Sequence, residues 1–199
     1  MTINQEPSGA SGTVLSVEAL LREIEAGWTP EYLFFWGHQA KAGDKAGKHV
    51  LSQWWECGFE IGGIPYPTAE HYMMAEKARM FGDGKTLSLI LEAPGPDAAK
   101  VLGRRVKGFD EAKWTAGCFD IVVCGNLAKF GQSAELRAYL AGTGDQVLVE
   151  ASPLDRIWGV GLAADDPRAQ NPQQWRGMNL LGFALMKVRA MLRAEDGGR

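Results

Sequence analysis

Thr68-Ala69-Glu70-His71-Tyr72-Met73-Met74-Ala75-Glu76-Lys77-Ala78-Arg79-Met80-Phe81 decides how this chain is read. The preceding Pro65-Tyr66-Pro67 cannot be helical, because a residue before proline is driven to extended backbone. Thr68 is then free to cap a helix running to about Phe81. On a wheel at about 100° per residue, Lys77 falls roughly 20° from Glu70. Met74, Ala78 and Phe81 flank the pair on one side, Met73 and Met80 on the other. Tyr72, Glu76 and Arg79 fall opposite, on the expected wet face. A carboxylate and an ammonium thus occupy the middle of an apolar stripe. That placement is costly unless the charges are paired or open onto a polar hollow. The helical rise separates them by about 10 Å, too far for a direct hydrogen bond. Two readings stay open: both groups line one pocket wall, or Glu70 supports the helix dipole while Lys77 snorkels to water. His71, at the edge of the stripe, reads as a structural group.

Working outward, Tyr32–Trp36 and Phe59–Ile61 read as short buried strands, the second ended by Gly62-Gly63. The polar stretch 37–48 reads as a loop. Further helices are expected at about 85–92, 96–104, 109–130 and 133–141, then a strand over 146–150 and a closing amphipathic helix over 178–193. Residues 1–12 are polar and aperiodic, as in a disordered tail; 13–29 hold an accessory helix capped by Ser16 and stopped by Gly27; 30–194 form the main domain. The expected class is α+β: one compact, mostly helical domain with a few short strands.

The 199 residues suffice for one buried core, and 46% hydrophobic with 23% charged is ordinary for a globular chain. A net charge of −3 argues against a general nucleic-acid coater, although Arg104, Arg105, Lys107 and Lys113 make a local basic cluster. Cys57, Cys118 and Cys124 are odd in number and lack metal spacing, so reduced thiols and a cytoplasmic location are expected. No signal peptide or membrane span is read. The scatter of His38, His49 and His71 gives no metal site, and nucleophile-elbow, zincin and phosphate-loop motifs are missing.

The second informative stretch is Ser152-Pro153-Leu154-Asp155-Arg156-Ile157-Trp158-Gly159-Val160-Gly161, within a long loop reaching Gln174. Asp155 and Trp158, three apart, can face the same way in a turn, joining a charge to a stacking plane. The plain alternatives are a turn residue and a core tryptophan. Gly159-x-Gly161-x-x-Ala164 only faintly resembles a dinucleotide fingerprint and lacks the strand–turn–helix setting.

Together these segments resemble the NADAR family. The matching stretches are Phe34-Phe35-Trp36, Ser52-Gln53-Trp54, Tyr66 to Met73 with Lys77-Ala78, Leu102-Gly103-Arg104, Trp114, Leu127 to Phe130, Leu136, Asp155 to Gly161 and Asn179 to Gly182. The resemblance implies an N-glycosidase of the YbiA-like type, acting on riboflavin-pathway intermediates without metal or redox cofactor. It implies that Glu70, Trp114, Asp155 and Trp158 are active-site positions, with Lys77 and Asn179 as further pocket residues. From the residues themselves, Gly159 lets the loop approach a ligand and Arg104 is a candidate phosphate contact. This chain departs from the family where Ser52-Gln53-Trp54 replaces the frequent Ser-Asn-Phe, and where Ala164–Trp175 runs longer. Cleaving a ribose–nitrogen bond builds positive charge on the sugar, so a carboxylate belongs near the anomeric carbon and a second group protonates the departing base. The first role falls to Glu70 or Asp155, and the sequence does not choose. Lys77 is the further candidate for phosphate binding or an imine. Two other readings are an enzyme removing ADP-ribose from a modified guanine, including guanine in ADP-ribosylated nucleic acid, and a non-catalytic module binding ADP-ribose or NAD.

Overall fold

The computed structural model describes residues 14–39 and 46–197; the expected tail and the middle of the 37–48 loop lie outside that range. Helix α1 (Val17–Glu25) starts where Ser16 Oγ accepts from the Ala19 N–H at 3.1 Å. Strand β1 (Tyr32–Phe35) follows, then a 3-10 turn at Lys48–Leu51. Strands β2 (Phe59–Ile61) and β3 (Ile64–Tyr66) form an antiparallel hairpin. Next come α2 (Ala69–Met80), α3 (Gly84–Leu91), α4 (Pro96–Gly103), α5 (Glu111–Gly131) and α6 (Ala134–Gly142). Strand β4 (Val147–Glu150), a long loop and α7 (Leu180–Gly197) complete the order. Helices dominate and strands are few and short, as the sequence pattern requires.

Strand β3 was not expected. Its cue was Gly62-Gly63, whose φ angles of 61° and 78° make the left-handed two-residue turn that joins twisted strands. Pro65 conceals it, being tolerated because a three-residue hairpin arm has an open edge. The loop after β4 also holds two 3-10 turns, Pro167–Gln170 and Pro172–Gln174, pinned by the Trp175 indole donating to Ala169 O at 2.8 Å.

Strands β1 and β4 pair in parallel, with Phe35 opposite Glu150, although more than a hundred residues separate them. Both C-terminal ends therefore emerge on one side of the fold, delivering Trp36 and Glu150 there. Helix α7 lies against β4, and at Gly182 the approach is so close that an added Cβ would meet Leu148 O at 2.0 Å.

Helix α2 is the hub, packed by α3, α4 and α5. Glycines admit the neighbours: a Cβ on Gly103 would meet Met74 Sδ at 2.0 Å, and one on Gly125 would meet Tyr72 Cδ1 at 2.5 Å. The expected wet face is corrected here. Tyr72 is 5% exposed, because α5 covers that side, and every residue from Ala69 to Ala75 is buried. Of the three residues expected on that face, Glu76 and Arg79, which pair with each other, stay partly exposed.

Candidate active site

Glu70 enters α2 in its first turn, fixed by the Thr68 cap and by its own N–H donating to Gln53 O at 3.0 Å. Its carboxyl is sealed: the residue is 2% exposed, and Oε1 is buried without a hydrogen-bond partner. Burial pushes the Glu70 pKa up to about 7, and the Asp155 charge pushes the same way. Lys100, a hydrogen bond from Trp54 and Arg104 oppose the rise. Three segments distant in sequence thus meet around one carboxyl: α2, α4 with its C-cap Arg104, and the loop after β4.

Asp155 is half-buried, and its Oδ1 accepts the backbone N–H groups of Ile157 at 2.9 Å and Trp158 at 2.8 Å. The turn role is real, and the same carboxylate projects its charge onto Glu70 and Glu150. Loop 155–161 is laced to the segment before α7 by Asn179 N–H to Gly159 O, Leu180 N–H to Ile157 O and Leu181 N–H to Trp158 O. Gly159 is required: a Cβ there would lie 2.8 Å from Glu150 O. Trp158 packs half-buried against the core.

Lys77 does not pair with Glu70. Its ammonium sits 4.1 Å from the Phe109 ring centroid and 5.4 Å from that of Trp114. Burial lowers its pKa, with Arg104 adding repulsion. Arg104, exposed on the surface, therefore reaches electrostatically into both the Glu70 and the Lys77 neighbourhoods.

Asn179 is tied to the strand end by its contacts. It is fully buried at φ 53°, with Oδ1 accepting from Glu150 N at 3.0 Å and Nδ2 donating to Leu148 O at 2.9 Å. Both amide atoms bond to β4, so Asn179 clamps the strand end.

His71 is structural: Thr68 Oγ1 lies 2.8 Å from its Nδ1 and Ala93 O lies 3.1 Å from its Nε2. That network fits a neutral ring with Nε2 protonated, and burial lowers its pKa in agreement.

Sequence reasoning missed Glu150, Lys100 and the role of Trp54. Glu150 is drawn into the same field, its pKa raised to about 8 by burial, then by Asp155, with Lys100 opposing and Glu70 adding. Its only written cue was a charge ending a buried strand ahead of the informative loop. Lys100 stands 5.6 Å from the Trp54 ring centroid, and His38 lies 5.6 Å from the same ring.

Two cavities, of about 380 Å³ beside His71 and Pro96 and about 470 Å³ between α1 and the Pro172–Gln174 turn, do not include these carboxyls. The carboxyl cluster matters for its charge and for the unpartnered oxygens of Glu70 and Glu150, and it grades outward from buried Glu70 through half-buried Asp155 toward the exposed guanidinium of Arg104. Among the described residues no three His, Cys, Asp or Glu converge as a metal shell would, and no helix is long and apolar enough to cross a membrane.

The fold is thus small and helix-rich, and it gathers carboxyl groups from separate segments, a set of the kind glycosidic-bond hydrolysis uses. Residues 34–193 match the family model described as NADAR domain, and the chain belongs to that family. It is 42% identical over 166 residues to N-glycosidase R617 of Acanthamoeba polyphaga mimivirus, covering 81% of this chain and 96% of that one. It is 33% identical over 132 residues to the chloroplastic riboflavin biosynthesis protein PYRR of Zea mays, covering 63% of this chain and 19% of that one. The NMR structure of Escherichia coli YbiA aligns with a TM-score of 0.68 at 27% identity, over 86% of this chain and 90% of that one.

Proposed function

We propose that this N-glycosidase, a hydrolase of N-glycosyl bonds, acts on a small ribose phosphate joined to a nitrogen base, with Glu70 as proton donor and Asp155 as the charge beneath the sugar. The observation that carries the reading is a sealed carboxyl, held near half protonation at neutral pH, within the field of a second carboxylate from another segment. A pKa of about 7 suits a general acid at neutral pH. The bond to the base breaks with its electron pair leaving on nitrogen, and Glu70 supplies the proton. The Asp155 charge stabilises the oxocarbenium-like sugar and orients the attacking water. Trp114 and Trp158 offer planes for the base, while Arg104 and Lys77, joined by Lys100, suit the phosphate.

The riboflavin-pathway ribosylamine phosphates are the favoured substrates, supported by the name of the maize relative. The test offers the protein such a ribosylamine phosphate, ADP-ribosylated guanine and NAD, and looks for a released base. Release from the first is expected. Release only from the second transfers the reading to ADP-ribose removal, and binding without release makes the protein a sensor.

A further inference from the structure

We infer that Glu150 holds the ribose hydroxyl next to the anomeric carbon and so separates ribosyl from 2-deoxyribosyl substrates. This deepens the N-glycosidase reading and rests on it for the placement of the sugar. The first observation is rigidity. Glu150 N–H is held by Asn179 Oδ1 at 3.0 Å, and its carbonyl accepts from Val160 N at 2.9 Å. Strand pairing sets it opposite Phe35, and Gly159 closes over its carbonyl with no room for a Cβ. The backbone is committed at both ends, leaving the carboxyl as its only uncommitted polar group.

The second observation is that this carboxyl is unfinished. Glu150 Oε2 is buried without a partner, as is Oε1 of Glu70, whose charge acts on Glu150. Native proteins leave few buried polar atoms unbonded, so a pair of them at one site points to a ligand that completes the bonds. The third is chemical fit. At neutral pH the raised pKa keeps Glu150 largely protonated, so it can both donate and accept, as a hydroxyl can. A phosphate belongs instead with Lys100 and Arg104. With Glu70 and Asp155 serving the anomeric carbon, the hydroxyl on the adjacent ring carbon is the nearest sugar group for a third carboxyl in their field.

The test pairs ribosyl and 2-deoxyribosyl versions of the substrate in kcat/KM, and ribose 5-phosphate against 2-deoxyribose 5-phosphate in calorimetric binding. Wild type, Glu150→Gln and Glu150→Ala are compared, with melting curves for each. Wild type should favour the ribo form by about tenfold or more, the scale of one buried hydrogen bond. Glu150→Gln should keep most of that preference, because a carboxamide also donates and accepts. Glu150→Ala should lose it; should that variant not fold, Glu150→Met fills the space without a polar atom and carries the same expectation. An unchanged preference in the alanine or methionine variant overturns the inference, as does a wild type without preference. Loss in Glu150→Gln as complete as in Glu150→Ala also overturns it, since that would mark a proton donor. Absence of base release from both wild-type substrates would defeat the N-glycosidase reading alone; the sugar-phosphate binding comparison would still decide the role of Glu150.

Discussion

Glu70 and Glu150 hold protons in the folded protein that the unfolded chain releases at ordinary carboxylate pKa values, from 4.5 up to about 7 and about 8 respectively. Both pKa values are raised, so the associated stability is complete below about 4.5 and is lost as pH climbs through about 7 and about 8. The melting temperature should therefore fall between roughly pH 5 and pH 8. Glu70→Gln and Glu150→Gln should each flatten that slope, and a slope unchanged in both would refute the assigned burial. Activity should decline as pH rises through about 7, because the donor must be protonated. At this scale the sequence was half legible. Glu70 declared itself as a charge inside an apolar stripe. Glu150 could not, because its burial depends on pairing with Phe35 and on Asn179, neither visible in local pattern.

Among elements, β4 and α7 form the platform that presents the site, and their contact leaves no slack. Gly182→Ala should be severely destabilising, by roughly 3 kcal/mol or more, because its methyl group would strike backbone, which cannot step aside as a flexible side chain can. Gly142→Ala in α6, with nothing within 4 Å, is the control and should be neutral or stabilising. Denaturant melts of both variants check the pair; equal stability would mean that α7 does not press on β4 as described. Helix boundaries were readable because caps are written locally, as at Ser16, Thr68, Asp83, Asp110 and Ser133. The wet face of α2 was misread because amphipathic reasoning assumes one neighbour, whereas this helix has three. The clamp that Asn179 places on β4 was equally hidden, since such long-range contacts leave no local mark in a sequence.

For the whole molecule, helix content and the α+β class follow from periodicity, but the parallel pairing of β1 with β4 does not. Nothing local joins Phe35 to Glu150; the pairing arises only when the intervening helices pack and bring the strand ends together. The same closure assembles Glu70, Asp155, Glu150 and Lys100 from separate segments, so motif resemblance could name Glu70 and Asp155 as candidates while only the fold shows Glu150 and Lys100 in their field. The N-terminal segment is part of this body, since Val14 and Leu20 are buried to 1% and 0% exposure. Leu20→Ala should cost about 2–5 kcal/mol in denaturant unfolding while kcat stays near wild type. A loss of activity without a loss of stability would place that helix in the chemistry instead.

The most direct measurement is single-turnover base release from the ribosylamine phosphate by wild type, Glu70→Gln and Asp155→Asn, each confirmed folded by its melting curve. A proton donor and a charge stabiliser acting together should leave each variant about 10²–10⁴-fold slower than wild type, and in Glu70→Gln the fall in rate through neutral pH should disappear. Wild-type rates in a properly folded Glu70→Gln would contradict the account.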